Sequence, residues 1–120
     1  MAKKTLVFGV SLKAHRISNM AVGRLLRNGH EVVAFGMKVG EVNGVRIDNE
    51  LILYEDVDTV TLYINPSRQE HYFSHIIALN PRRVIFNPGT ENMEFYRLLM
   101  ENDITIDVSC TLTLLATDQY

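Results

Sequence analysis

The chain has 120 residues, 47% of them hydrophobic, with a formal net charge of −2 and a single cysteine. That length suits one domain with a core that needs no disulfide or structural metal, and the apolar content excludes wholesale disorder. The charge balance lacks the basic stripe that nucleic-acid binding requires, and the lone Cys110 excludes an internal disulfide and fits a reducing compartment.

Lys3 and Lys4 precede an apolar run that ends at Val10, too short for a signal-peptide core and without a cleavage site. No later stretch approaches the ~20 apolar residues that cross a bilayer. A soluble cytoplasmic protein with no membrane partner is expected. Thr5 to Val10 reads as a first buried strand. Ser18 is placed to cap a helix running to about Asn28, with Ala21, Val22, Leu25 and Leu26 at helical spacing and Gly29 as the stop. Glu31 to Phe35 contains a second strand. Gly36 to Asp48 reads as a loop with a small excursion, turned at Asn43-Gly44. Leu51 to Val57 is left as a connecting turn.

Thr59 to Ile64, β-branched and apolar, predicts a third strand. Pro66 and Ser67 open a helix in which Ser67 and Glu70 form a capping box and Tyr72, Phe73, Ile76, Ile77 and Asn80 share a face. Pro81 ends it. Arg83 to Phe86 is a fourth strand, about Glu91 to Asn102 a third helix, and Ile104 to Val108 a fifth strand. The tail from Ser109 to Tyr120 reads equally as helix or extended chain, and its apolar residues leave a homodimer open. Strands alternating with helices predict one α/β domain over residues 1–120. Its architecture is a Rossmann-like, doubly wound parallel sheet of about five strands in three layers, α/β/α.

In such a sheet a ligand lies beyond the carboxyl ends of the strands, at the point where strand order reverses. The residues after Val10, Phe35, Ile64 and Phe86 are therefore the candidates. After the first strand, Gly9 permits close backbone approach and Val10 ends the run. Ser11, Ser18 and the free N–H groups of the helix start can donate to phosphate oxygens, and Lys13 and Arg16 add positive charge. The dinucleotide fingerprint G-x-G-x-x-G is absent, because Ser11 stands where its second Gly would be. The end of the second strand offers Lys38 and no carboxylate for ribose hydroxyls. That disfavours NAD and suits a ligand with a further phosphate near its ribose. Asn65-Pro66 and Asn87-Pro88-Gly89 form rigid edges where a long ligand can lie.

Gly9-x-Ser11, Arg16-x-Ser18, the Asn-Gly excursion, Pro88-Gly89 before the third helix and Cys110 after the fifth strand form an ordered set. In that order they resemble the small stand-alone CoA-binding proteins, related to the CoA-binding domain of the succinyl-CoA synthetase alpha subunit. The resemblance implies a Rossmann-like fold holding coenzyme A or an acyl-CoA across the strand ends. It implies that Ser11, Arg16 and Ser18 meet the pyrophosphate and that Lys38 lies near the adenosine and its 3′-phosphate. Asn65-Pro66 and Pro88-Gly89 would flank the pantetheine arm. Two features depart from the family: Gly36-Met37 where Asn-Pro is frequent, and an apolar stretch after Cys110 where charges are frequent.

No catalytic constellation is evident, so a non-catalytic binding or regulatory role is the leading expectation. The alternative is an NAD(P)-binding oxidoreductase or its cofactor domain. A receiver-like signalling module would need an acidic cluster where this chain has Val10-Ser11 and Phe35-Gly36. His71 and His75 lie four apart on a helix but lack a third metal ligand, so they read as a solvated pair, and His15 reads as an exposed loop residue. Tyr72–Phe73 and Phe95–Tyr96 read as core. If the tail is a helix, Ser109 can cap it and its start favours the thiolate, which makes Cys110 a candidate for disulfide exchange with CoA, against the alternative of a buried structural thiol.

Overall fold

The computed structural model describes residues 2–120. The strands are β1 (Thr5–Phe8), β2 (Val32–Phe35), β3 (Gly40–Val42), β4 (Val45–Asp48), β5 (Thr59–Leu62), β6 (Arg83–Phe86) and β7 (Thr105–Val108). The helices are α1 (Ile17–Arg27), α2 (Pro66–Gln69), α3 (Phe73–Leu79), α4 (Met93–Glu101) and α5 (Thr111–Ala116), with a single 3-10 turn at Glu70–Tyr72 between α2 and α3. The sheet order is β3-β4-β2-β1-β5-β6-β7, and every pairing is parallel except β3 with β4. The chain winds outward from β1 to β2 on one side and from β5 to β7 on the other, so the switch point lies between β1 and β5.

The sheet has seven strands rather than five. The stretch expected to be a loop forms a hairpin whose two turn residues, Asn43 and Gly44, both have positive φ, at 51° and 82°. That is the backbone of the tight turn that Asn-Gly favours. Val42 and Ile47 face inward while Glu41 and Arg46 face water, and Ile47 of β4 pairs with Ala34 of β2. Gly23 of α1 makes room for the turn, since a Cβ there would meet the Asn43 amide nitrogen at 2.8 Å.

Two apolar layers flank the sheet. One packs Leu6, Phe8, Val60, Leu62, Val84 and Phe86 against Phe73, Ile76, Phe95 and Leu99 of α3 and α4. The other packs Val7, Ala34 and Ile47 against Val22 and Leu25 of α1, with Leu115 and Tyr120 from the tail. Phe73 stacks on Phe95 with ring centroids 4.3 Å apart, and Tyr72 meets Phe8 edge-on at 5.2 Å. These aromatics are core, as read from the sequence. His75 is half-buried near Phe8 rather than solvated, and burial pushes its pKa down.

The helix starts differ from the sequence reading. The residue capping α1 is Arg16, not Ser18. The Ser67–Glu70 capping box does not form. Instead Asn65 caps α2, its carboxamide oxygen accepting from the Ser67 N–H at 2.9 Å, with Pro66 at the first helical position. The long helix expected from Pro66 to Asn80 is broken at the 3-10 turn, and Asn80 ends it in the left-handed region at φ 50° just before Pro81. The tail resolves as α5 capped by Cys110, while Ser109 turns back to Asp107. Tyr120 then closes the amino ends of the strands. Its hydroxyl lies 2.5 Å from the Thr5 hydroxyl, and the buried Arg83 guanidinium sits 4.6 Å from its ring centroid.

Candidate functional site

A cleft of about 650 Å³ opens at the carboxyl ends of β1, β2 and β5. Of the residues singled out in the sequence, it brings together Gly9, Val10, Ser11, Lys13, Arg16, Ser18, Lys38 and Asn65. Pro66 lies just outside, on a neighbouring depression with Glu70 and Glu91. Pro88, Gly89 and Cys110 do not line the cleft.

The floor is built by close backbone approach. Gly9 has φ +108°, and a Cβ there would meet Ile64 Cδ1 at 2.9 Å and the Tyr63 carbonyl at 3.0 Å. The Gly9 and Val10 N–H groups both donate to the Phe35 carbonyl, at 2.8 and 2.9 Å, which ties the start of the loop to β2. A Cβ on Gly36 would collide with the Val10 carbonyl. Both glycines thus let β1 and its neighbours converge under the loop.

The loop itself is braced from the first turn of α1. The Ser11 N–H donates to Ser18 Oγ at 3.0 Å, and the Asn19 side-chain amide donates to the Ser11 carbonyl at 2.9 Å. The Lys13 N–H donates to Ser11 Oγ at 3.1 Å. Ser18 and Asn19 are buried, so the brace is set before any ligand arrives. Asn19 was not found from the sequence; only its position in the first turn of the helix could have signalled it. No side chain caps α1 and no acidic residue stands in its first turn. The helix start therefore presents a positive end to the cleft.

The charges around this end are all of one sign. Lys13, Arg16, Lys38 and Arg68 line the cleft, and its lining includes no carboxylate. Among the described residues none of these four takes part in an ion pair. Arg68, from α2, was missed in the sequence because it sits in an unremarkable polar stretch after Pro66. His15 also lines the cleft and is exposed. Leu12, Ile17 and Met37 supply an exposed apolar rim. Leu12 leans on Gly40, where a Cβ would meet it at 2.6 Å. Asp48 is in register with Phe35 at the end of β2, but Arg46 Nε at 2.9 Å and the Tyr54 hydroxyl at 2.5 Å occupy its carboxylate. Burial pushes the Tyr54 phenol up, and the hydrogen bond to Asp48 adds to this.

Beyond the cleft, the end of β6 is a closed polar knot. The Asn87 amide donates to Thr61 Oγ1 at 2.7 Å and to the Leu62 carbonyl at 3.0 Å, while its oxygen accepts from the Thr111 N–H at 2.9 Å. The Gln69 amide donates to the Ile64 and Thr90 carbonyls at 2.8 and 2.7 Å. The Gly89 N–H is taken by Glu91. Tyr63, between knot and cleft, is pushed up to about 12 by burial, and its hydroxyl makes no hydrogen bond of good geometry among the described residues, while the neighbouring Thr61 and Thr111 hydroxyls bond each other at 2.7 Å. Burial raises the Cys110 thiol too, but the Thr113 hydroxyl and the Thr113 and Leu112 N–H groups favour the thiolate and bring it below its ordinary value.

A family model described as a CoA binding domain matches residues 3–116. A crystal structure of an uncharacterized protein is 46% identical, with a TM-score of 0.97 over 100% of this chain and 99% of that one. A protein from Thermus thermophilus is 23% identical with a TM-score of 0.87, covering 99% of this chain and 91% of its own. A hypothetical protein from Pyrococcus horikoshii OT3 is 24% identical with a TM-score of 0.87, covering 98% and 84%. At those lower identities the likeness shows the fold. None of the curated proteins matches the chain.

Proposed function

The chain belongs to the CoA-binding domain family, and on that premise we propose that it binds coenzyme A or an acyl-CoA in the cleft at the β1–β5 switch point, as a binding or regulatory protein. The observation that carries this reading is the coincidence of an uncapped helix start with a lining that holds cations and no carboxylate. The α1 N–H groups, Ser11, Ser18 and Arg16 hold the pyrophosphate, Lys13 adds charge at the loop, and Lys38 takes the adenosine 3′-phosphate. Gly9 and Val10 form the floor. The pantetheine arm then runs along the strand ends, past Asn65-Pro66 after β5 and Pro88-Gly89 after β6, toward Cys110 after β7. Neighbouring strands lie ~4.8 Å apart, so this path crosses about 10 Å from β5 to β7.

Thermal denaturation tests the reading. CoA is expected to raise the midpoint more than NAD at equal concentration, since a ligand that binds only the folded chain stabilises it by about 2.7 kcal/mol at a hundredfold excess over Kd. Stabilisation by NAD or NADP with none by CoA would favour the oxidoreductase alternative. At the far end of the arm, the Cys110 thiolate can attack CoA disulfide, forming a protein–CoA disulfide and releasing one CoA thiolate. Intact mass should show a CoA adduct that reductant removes and that Cys110→Ser lacks. No adduct on a chain that binds CoA would leave Cys110 a structural thiol.

A further inference from the structure

The cleft's cations fall into two pairs from different parts of the chain. Lys13 and Arg16 come from the loop between β1 and α1. Lys38 follows β2, and Arg68 reaches toward it across the switch point from α2, its Nη2 donating to Met37 Sδ at 3.4 Å. A thioether sulfur is a weak acceptor. The Arg68 guanidinium is thus held beside the Met37–Lys38 turn by a contact that leaves its donors free for an anion. Arg68 is exposed and makes no ion pair among the described residues. Two cationic pairs carried on different segments match a ligand with two phosphoryl centres. A pyrophosphate alone needs only the pair beside the α1 start.

We propose that Arg68 determines specificity at this site, selecting nucleotides that carry a phosphate on the ribose 3′ position over those that carry the pyrophosphate alone. The inference rests on the CoA reading above and sharpens it. The planar fork of arginine grips a phosphate through two parallel bonds, whereas Lys38 contributes a single point of charge. Asp48, in register with Phe35 at the end of β2, is held by Arg46 and Tyr54 and does not compete for the guanidinium.

Isothermal titration calorimetry of the full chain with CoA and with dephospho-CoA reads the claim. The wild-type chain should bind CoA about tenfold or more tightly than dephospho-CoA. Arg68→Met keeps the apolar stem and removes the charge. It should lower CoA affinity about ten- to a hundredfold, the range of charge-assisted hydrogen bonds, and leave dephospho-CoA within about twofold. Arg68→Lys should restore part of the preference. Equal binding of the two ligands by the wild type, or an equal loss of both in Arg68→Met, would overturn the role of Arg68 and leave CoA binding standing. Failure of the wild type to bind either ligand would overturn the CoA reading itself, and this inference with it.

Discussion

Two turns at the carboxyl edge of the sheet each carry a glycine and hydroxyl chemistry, and they are built in opposite ways. The loop from Gly9 to Ser18 is braced by Ser18 and Asn19, and it directs outward an uncapped helix start and cations that make no ion pair among the described residues. The turn from Asn87 to Asn92 directs its polar groups inward. Asn87 joins β5, β6 and the start of α5, Thr90 Oγ1 donates to the Asn87 carbonyl at 2.7 Å, and Asn92 accepts from the first N–H groups of α4. The difference lies in where hydrogen bonds remain unmade. A turn with its donors satisfied can guide a ligand by shape alone, while one with open donors and positive charge can hold an anion.

The largest effect that should separate the two belongs to Asn87. Asn87→Ala removes three bonds and strands the buried Thr111 N–H. It should cost about 3 kcal/mol of stability, on the order of 10 °C in Tm, and leave CoA affinity of the folded protein within about threefold. Urea denaturation and calorimetry give the two numbers. A stable variant that has lost CoA would place ligand contacts at the wrong turn.

Gly9→Ala comes next. With φ +108° and a Cβ forced within 2.9 Å of Ile64 Cδ1, alanine should cost about 2 kcal/mol of stability and weaken CoA binding too, because the floor must move. Unchanged melting would show that the floor yields more easily than its packing implies. Arg16→Ala should show the reverse of Asn87→Ala. CoA affinity should fall about ten- to a hundredfold, with ligand-free stability within about 0.5 kcal/mol of wild type. Calorimetry that finds CoA affinity intact would reduce Arg16 to a solvated charge. Smallest is Gly89→Ala. Its φ of +92° is strained for alanine but nothing lies within 4 Å of the new Cβ, so a loss of about 1 kcal/mol of stability is expected, with CoA affinity changed by no more than about threefold as the pantetheine arm passes this turn.

Most of the doubly wound pattern was legible, because buried parallel strands are near-continuous apolar runs and Thr5–Phe8, Thr59–Leu62 and Arg83–Phe86 are buried along their whole length. The hairpin of β3 and β4 was not, although its Asn43-Gly44 turn was read. Strands of three and four residues with a single buried side chain each carry too little pattern to stand out from a polar loop. The loop after β1 was legible because position and chemistry agreed there. Arg68 was hidden, since its importance comes from α2 folding across the switch point to Met37, a contact between residues 31 apart in sequence. The part played by Asn87 was hidden for the same reason, because its partners come from β5 and α5.

Amide-resolved NMR of the isotopically labelled chain during titration with CoA compares the two turns in one experiment. The largest shifts should fall on Ser11 to Ser18, with Lys38 and Arg68 following, and the buried amides of Asn87, Thr90 and Thr111 should move far less. Shifts concentrated on Asn87 to Asn92 with a silent Ser11–Ser18 loop, or no shifts anywhere at millimolar CoA, would contradict binding of the nucleotide at the start of α1.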